Sequence, residues 1–118
     1  MIQVIGDLAG KRAVLVDDII DTAGSIISAA NMIAERGASE IYAYATHGIL
    51  SGDAVAGLET APIKEIVLTD TIPIPPAKRG SKVRLLSVAP IVAEAIKRVH
   101  ADSSVSTIFD RYWEDDKK

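Results

Sequence analysis

The chain has 118 residues, enough for one domain that buries about two thirds of its unfolded surface and too few for two ordinary ones. A formal charge of −3 leaves no basic footprint for a nucleic-acid backbone, and the absence of cysteine excludes disulfides and thiolate metal sites. Hydrophobic residues make up 48% and aromatic residues only 4%, so Val, Ile, Leu and Ala are expected to build the core, as in a parallel sheet buried on both faces.

The N-terminal stretch MIQVIGDLAGKR lacks the pattern of a signal peptide, and no apolar run approaches membrane-spanning length. A soluble, cytoplasmic chain with no membrane partner is the expectation. Ala13 to Val16 is a short β-branched run that predicts a buried strand delivering Asp17 and Asp18 at its C-terminal end. Ile26, Ala30 and Ile33 then recur at helical spacing, and Gly37 marks the helix stop. Ile41–Thr46 reads as a second strand, residues near Asp53–Leu58 as a short helix, and Ile66–Leu68 as a third strand.

The stretch TIPIPPAKRGSK resists regular structure, and Val83–Leu86 is a fourth strand. Ser87 is placed to cap a helix with apolar Val88, Val92, Ala95 and Val99, Pro90 being tolerated in its first turn. The predicted class is α/β, a parallel sheet of about four strands with flanking helices. One domain is expected over residues 1–110, with 111–118 a charged, frayed tail.

The chemistry concentrates in VLVDDIIDTAGS, residues 14–25. In open α/β sheets ligands bind beyond the C-terminal ends of the strands, where loops lead into helices. A loop of small residues at a helix N-terminus brings backbone N–H groups to a phosphate, and the hydroxyls of Thr22 and Ser25 add donors. Asp17 and Asp18 suit a different part of the same ligand, accepting from sugar hydroxyls or holding a hard divalent cation. Any one of these aspartates alone reads better as a solubility or dipole residue. It is the order of strand, acids and turn that points to a sugar phosphate. The letters DDIID also match the aspartate-rich helix of isoprenyl diphosphate synthases, but the strand-like AVLV before them and the β-α alternation argue against that all-helical class.

VLVDDIIDTAGS resembles the phosphoribosyl-pyrophosphate loop of type I phosphoribosyltransferase folds. With VIGDLAGK before it, and ERGA, YATHGILSG, TDTIP, LSVAPIVAEAI and SVSTIF after it, the chain from Val4 to Phe109 resembles the ribose-phosphate pyrophosphokinase family. The resemblance implies a magnesium-dependent transfer of diphosphate from ATP to the 1-hydroxyl of ribose 5-phosphate. By it, Asp17 contacts the ribose hydroxyls, Asp18 the ribose or a metal-bound water, and Asp21, Thr22, Ala23, Gly24 and Ser25 hold the 5-phosphate.

Family members carry a preceding α/β half and further strands that supply the ATP pocket, a metal-binding histidine and a mobile cationic loop. None of these has a counterpart here. The expectation is a C-terminal domain fragment with no catalytic residue and no metal ligand set of its own, catalytically incomplete alone, with ATP and the magnesium ligands belonging to the full-length enzyme. Ser104, Ser106 and Phe109 match a segment that in the family forms part of an inter-subunit regulatory phosphate site; the plainer reading is a serine-rich connector anchored by Phe109. Full-length relatives form hexamers, which makes other subunits of the same protein the expected partners.

His47 sits near a strand end, where a structural histidine is the better reading, and His100 is expected to complement a helix dipole. Lys78, Arg79, Lys82 and Arg84 read as a solvated face. Two alternatives stay open: a phosphoribosyltransferase that consumes phosphoribosyl pyrophosphate, and a non-catalytic regulatory or assembly module related to the enzyme.

Overall fold

The computed structural model describes residues 6–114. Its elements run β1 (Arg12–Ile20), α1 (Gly24–Glu35), β2 (Glu40–Gly48), α2 (Ala54–Thr60), β3 (Glu65–Thr69), a 3-10 turn (Pro76–Lys78), β4 (Val83–Leu86), α3 (Ala89–His100) and α4 (Thr107–Glu114). They fall into two compact units, Met1–Leu86 and Ser87–Lys118. Of the expected tail, α4 takes residues up to Glu114, and 115–118 lie outside the described residues.

In the first unit four strands make one all-parallel sheet in the order β1-β2-β3-β4. β1 is longer than the apolar run that announces it. It pairs with β2 from Arg12↔Glu40 to Ile20↔Gly48, so Asp17 and Asp18 lie within the strand and not beyond its end.

The order also decides what is buried. Both helical crossovers step in the same direction across the sheet, and right-handed connections must then place α1 and α2 on one face. There Ile26, Ala30 and Ile33 of α1 and Leu58 of α2 join Ala43, Ile66 and Leu68 of the sheet in a single core. Fully burying a Leu or Ile side chain stabilises by about 1.5–3 kcal/mol. Along β2, Ile41, Ala43 and Ala45 are buried while Tyr44 and Thr46 are exposed, the alternation that a half-covered strand requires. Val14, Val16 and Leu86 are exposed with Tyr44, Val16 to 78%. The expectation of a sheet buried on both faces is therefore corrected, because helices that all cross on one side leave the other face bare.

Local chemistry closes each element. At the end of α1, Gly37 adopts φ 84°, which an L side chain rarely reaches, and the Gly37 and Ala38 N–H groups donate to the carbonyls of Ala34 and Ile33. Lys82 Nζ donates to the carbonyls of Leu58 (3.1 Å) and Ala61 (2.7 Å), placing a cation at the C-terminus of α2. Glu59 accepts from the Ser81 hydroxyl (2.6 Å), the Ser81 N–H (2.6 Å) and the Lys82 N–H (3.2 Å). Those bonds, the hydroxyl's foremost, hold its carboxyl below the ordinary glutamate range.

The basic cluster is thus more than a solvated face: Lys82 caps a helix, Arg79 Nε donates to the Ile74 carbonyl at 3.0 Å, and Arg84 stands 3.9 Å from Glu65. At the N-terminal end of the strands Glu40 receives Lys64, the Tyr42 hydroxyl and Arg12. The Lys64 hydrogen bond is the main reason that the Glu40 carboxyl is held low and the Lys64 ammonium is pushed up.

In the second unit Ser87 Oγ accepts the Ala89 N–H at 3.3 Å as α3 begins, with Pro90 in the first turn. No residue of α3 is buried, and its apolar stripe, including Val92, Ile96 and Val99, faces solvent. Ile108 is the buried side chain of the following segment. Phe109, expected as an anchor, is 58% exposed.

Candidate phosphate-binding site

The strand-turn-helix unit from Asp17 to Ile26 encloses a cleft at the C-terminal edge of the sheet. Asp17, Asp21, Thr22, Ala23, Gly24 and Ser25 line it, over a floor that includes Ile20 and Ile26, both buried. Ala23 takes a left-handed conformation, φ 64°, in which a Cβ is strained, and this bend turns the chain into α1. No side chain caps the first turn of α1. Its leading N–H groups therefore keep their donor capacity at the cleft, with the positive end of the helix dipole behind them.

Gly24 contributes space. A Cβ built there meets nothing nearer than Thr22 Oγ1 at 4.0 Å, and no left-handed φ demands a glycine. Packing leaves the position free, so what the missing side chain keeps open is the approach to the helix's first amides.

The aspartates divide. Asp17 lines the cleft, and its Oδ1 accepts the Asp18 N–H at 2.9 Å, which fixes the carboxylate against the strand. Asp18, one residue on, belongs to the other face of β1 by strand alternation and is not among the residues lining the cleft. Asp21 begins the turn and is held by a residue that the sequence reading passed over: Ser51, in the loop after β2, donates its hydroxyl to Asp21 Oδ1 and its N–H to the Asp21 carbonyl at 3.1 Å. The available signal was topological, since loops following adjacent parallel strands emerge at the same sheet edge.

Among the described residues no group of three or more His, Cys, Asp or Glu side chains converges to hold a metal. Asp17 and Asp21 offer carboxylate oxygens of the kind that hold magnesium in company with ligand phosphates and water. His47 is not part of the cleft lining. Its Nδ1 lies 2.8 Å from Thr71 Oγ1, which is also 3.1 Å from the Thr46 carbonyl, so the ring joins the loop after β3 to the end of β2. His100 is the last residue of α3, beside Lys97 and Arg98 in the final turn, where cations complement the dipole.

In the second unit Ser104 Oγ and Ser106 Oγ are 2.7 Å apart. Arg98 steadies this turn. Its Nη1 donates to the Ser104 carbonyl at 3.0 Å and to Thr107 Oγ1, while Nε pairs with Glu94 at 2.9 Å.

A one-sided parallel sheet whose first crossover begins in an uncapped, small-residue turn flanked by carboxylates places the chain in the parallel α/β class, with its candidate site at the C-terminal edge of the strands. The sequence profile of the phosphoribosyl synthetase-associated domain matches residues 1–110, and the chain belongs to that family. It is 54% identical over 109 residues to the ribose-phosphate pyrophosphokinase of Caldanaerobacter subterraneus subsp. tengcongensis, covering 92% of this chain and 34% of that protein. The enzyme of the same name from Oceanobacillus iheyensis is 52% identical over 110 residues, 93% of this chain and 35% of its own length. The crystal structure of phosphoribosylpyrophosphate synthetase from Mycobacterium smegmatis superimposes with a TM-score of 0.81 at 39% identity, over 84% of this chain and 33% of that one. The chain spans about a third of the length of these relatives. Among the described residues no helix is long and apolar enough to cross a membrane.

Proposed function

We propose that the chain is the ribose 5-phosphate-binding, C-terminal part of a ribose-phosphate pyrophosphokinase, the enzyme that moves diphosphate from ATP to the 1-hydroxyl of ribose 5-phosphate. The observation that carries this reading is the uncapped first turn of α1 opening on the same cleft as Asp17. The 5-phosphate sits at the N–H groups leading α1 and takes hydrogen bonds from the Thr22 and Ser25 hydroxyls. Asp17 accepts from the ribose hydroxyls across the cleft. Asp18 acts through its backbone, whose N–H orients the Asp17 carboxylate.

Magnesium, when bound, would offset the phosphate charge beside Asp17 and Asp21. Diphosphate transfer also needs cationic side chains against the developing charge. The cleft lining contains no Lys, Arg or His, so the chain binds and orients the sugar phosphate while ATP and the cations come from the rest of the enzyme. Ser104, Ser106 and Phe109 supply one side of a regulatory phosphate site completed by a neighbouring subunit. The bare sheet face and the exposed stripe of α3 favour a second reading beside this one, an assembly module that associates with full-length subunits.

Titration with ribose 5-phosphate and magnesium, followed by backbone amide shifts, tests the binding reading. Thr22–Ser25 amides should move at millimolar ligand, Asp17→Ala should weaken the response, and ATP-dependent turnover by the chain alone should be blank. Unmoved loop amides would refute sugar-phosphate binding, and turnover would refute the division of labour.

A further inference from the structure

The loop after β2 is built to meet the phosphate turn. Gly48 lets the chain pass where a Cβ would come within 2.5 Å of Leu68 Cδ1 and 2.9 Å of Ile74 Cδ1. The Ile49 and Leu50 N–H groups then both donate to the Ile20 carbonyl, at 2.9 and 3.2 Å. Leu50 holds a left-handed φ of 52°, a strained state for a branched side chain, and is 1% exposed, so its burial secures the bend.

That bend aims the next residue. Ser51 donates its N–H to the Asp21 carbonyl and its hydroxyl to Asp21 Oδ1, and its own carbonyl accepts the Ala54 N–H at 3.2 Å where α2 begins. Asp21 is thereby held at backbone and side chain from one neighbouring residue. Two residues later the chain makes its left-handed bend at Ala23, so the placement of Asp21 governs where the leading amides of α1 lie. A hydroxyl bonded to an ionised carboxylate makes a strong, directional contact, and by occupying Oδ1 it also limits the repulsion between that carboxylate and an anion in the cleft.

We propose that Ser51 is a positioning residue for the phosphate turn, acting through Asp21. The inference rests on the sugar-phosphate reading for its ligand and on the ligand-free geometry for its mechanism, and these can fail separately. In ligand-free Ser51→Ala protein, backbone order parameters of Thr22–Ser25 should fall clearly below those of the parent chain while the thermal midpoint stays near the parent value. Ser51→Thr, which keeps the hydroxyl, should restore them.

Affinity for ribose 5-phosphate should fall about ten-fold in Ser51→Ala, the consequence of losing one hydrogen bond to a charged group. In an Asp21→Ala background the same change should cost almost nothing. Parent-like order parameters at residues 22–25 in Ser51→Ala, or an undiminished effect of that substitution without Asp21, would overturn the proposal. Lowered order parameters in Ser51→Ala when the parent shows no ribose 5-phosphate binding would instead uphold the positioning role and overturn the ligand reading.

Discussion

Gly24→Ala separates ligand space from packing space in one substitution. The added Cβ finds Thr22 Oγ1 at 4.0 Å and no closer atom, and the backbone is not left-handed, so the folded chain accommodates alanine without strain. Alanine restricts the unfolded chain more than glycine and favours helix, together worth up to about 1 kcal/mol of added stability at a compatible position. For a unit of this size that corresponds to a rise of roughly 4–8 °C at most in thermal midpoint.

Binding should move the other way. A phosphate drawn onto the first amides of α1 must approach where the new methyl projects, and losing one charge-assisted hydrogen bond costs about 1.5–3 kcal/mol, or roughly ten- to a hundred-fold in affinity. Thermal denaturation without ligand and a ribose 5-phosphate titration read the two effects on the same protein. A stability loss beyond about 1 kcal/mol would show that packing requires the glycine. Parent-like affinity would show that the phosphate does not use these amides, and either result refutes the reasoning.

Gly48→Ala has the opposite profile. Its Cβ would press on the terminal methyls of Leu68 and Ile74, both buried and unable to swing aside freely, so denaturant unfolding should report a loss of about 1–3 kcal/mol; a neutral result would mean that the loop after β2 can shift outward. For Glu59 the folded-state acidity is strengthened by its bonds to Ser81 and Lys82, so its stabilising contribution is present above the ordinary value of 4.5 and fades as pH falls through the lower folded value. Glu59→Gln should therefore flatten the stability profile below pH 4.5, and an unchanged acid limb would remove Glu59 from the account.

The strand-turn-helix unit at residues 14–26 was legible because its signal is local: a β-branched run, carboxylates and a small-residue turn within a dozen positions read directly as strand, loop and helix start. The ends of elements were less legible. β1 reaches Ile20 because Gly48 lies across from it on β2, a pairing with no signature in residues 17–20 themselves. Phe109 illustrates the same limit: it was expected as the anchor of its segment, and packing buries Ile108 instead.

Composition and periodicity determine an aliphatic α/β chain, its parallel strands and the place of its small-residue turn, because propensity and pattern act over a few neighbouring residues. The bare face of the sheet and the grip of Ser51 on Asp21 were settled by the path of the chain. Same-direction right-handed crossovers put both covering helices on one side and bring the loops after β1 and β2 to a shared edge, where residues thirty positions apart become hydrogen-bond partners.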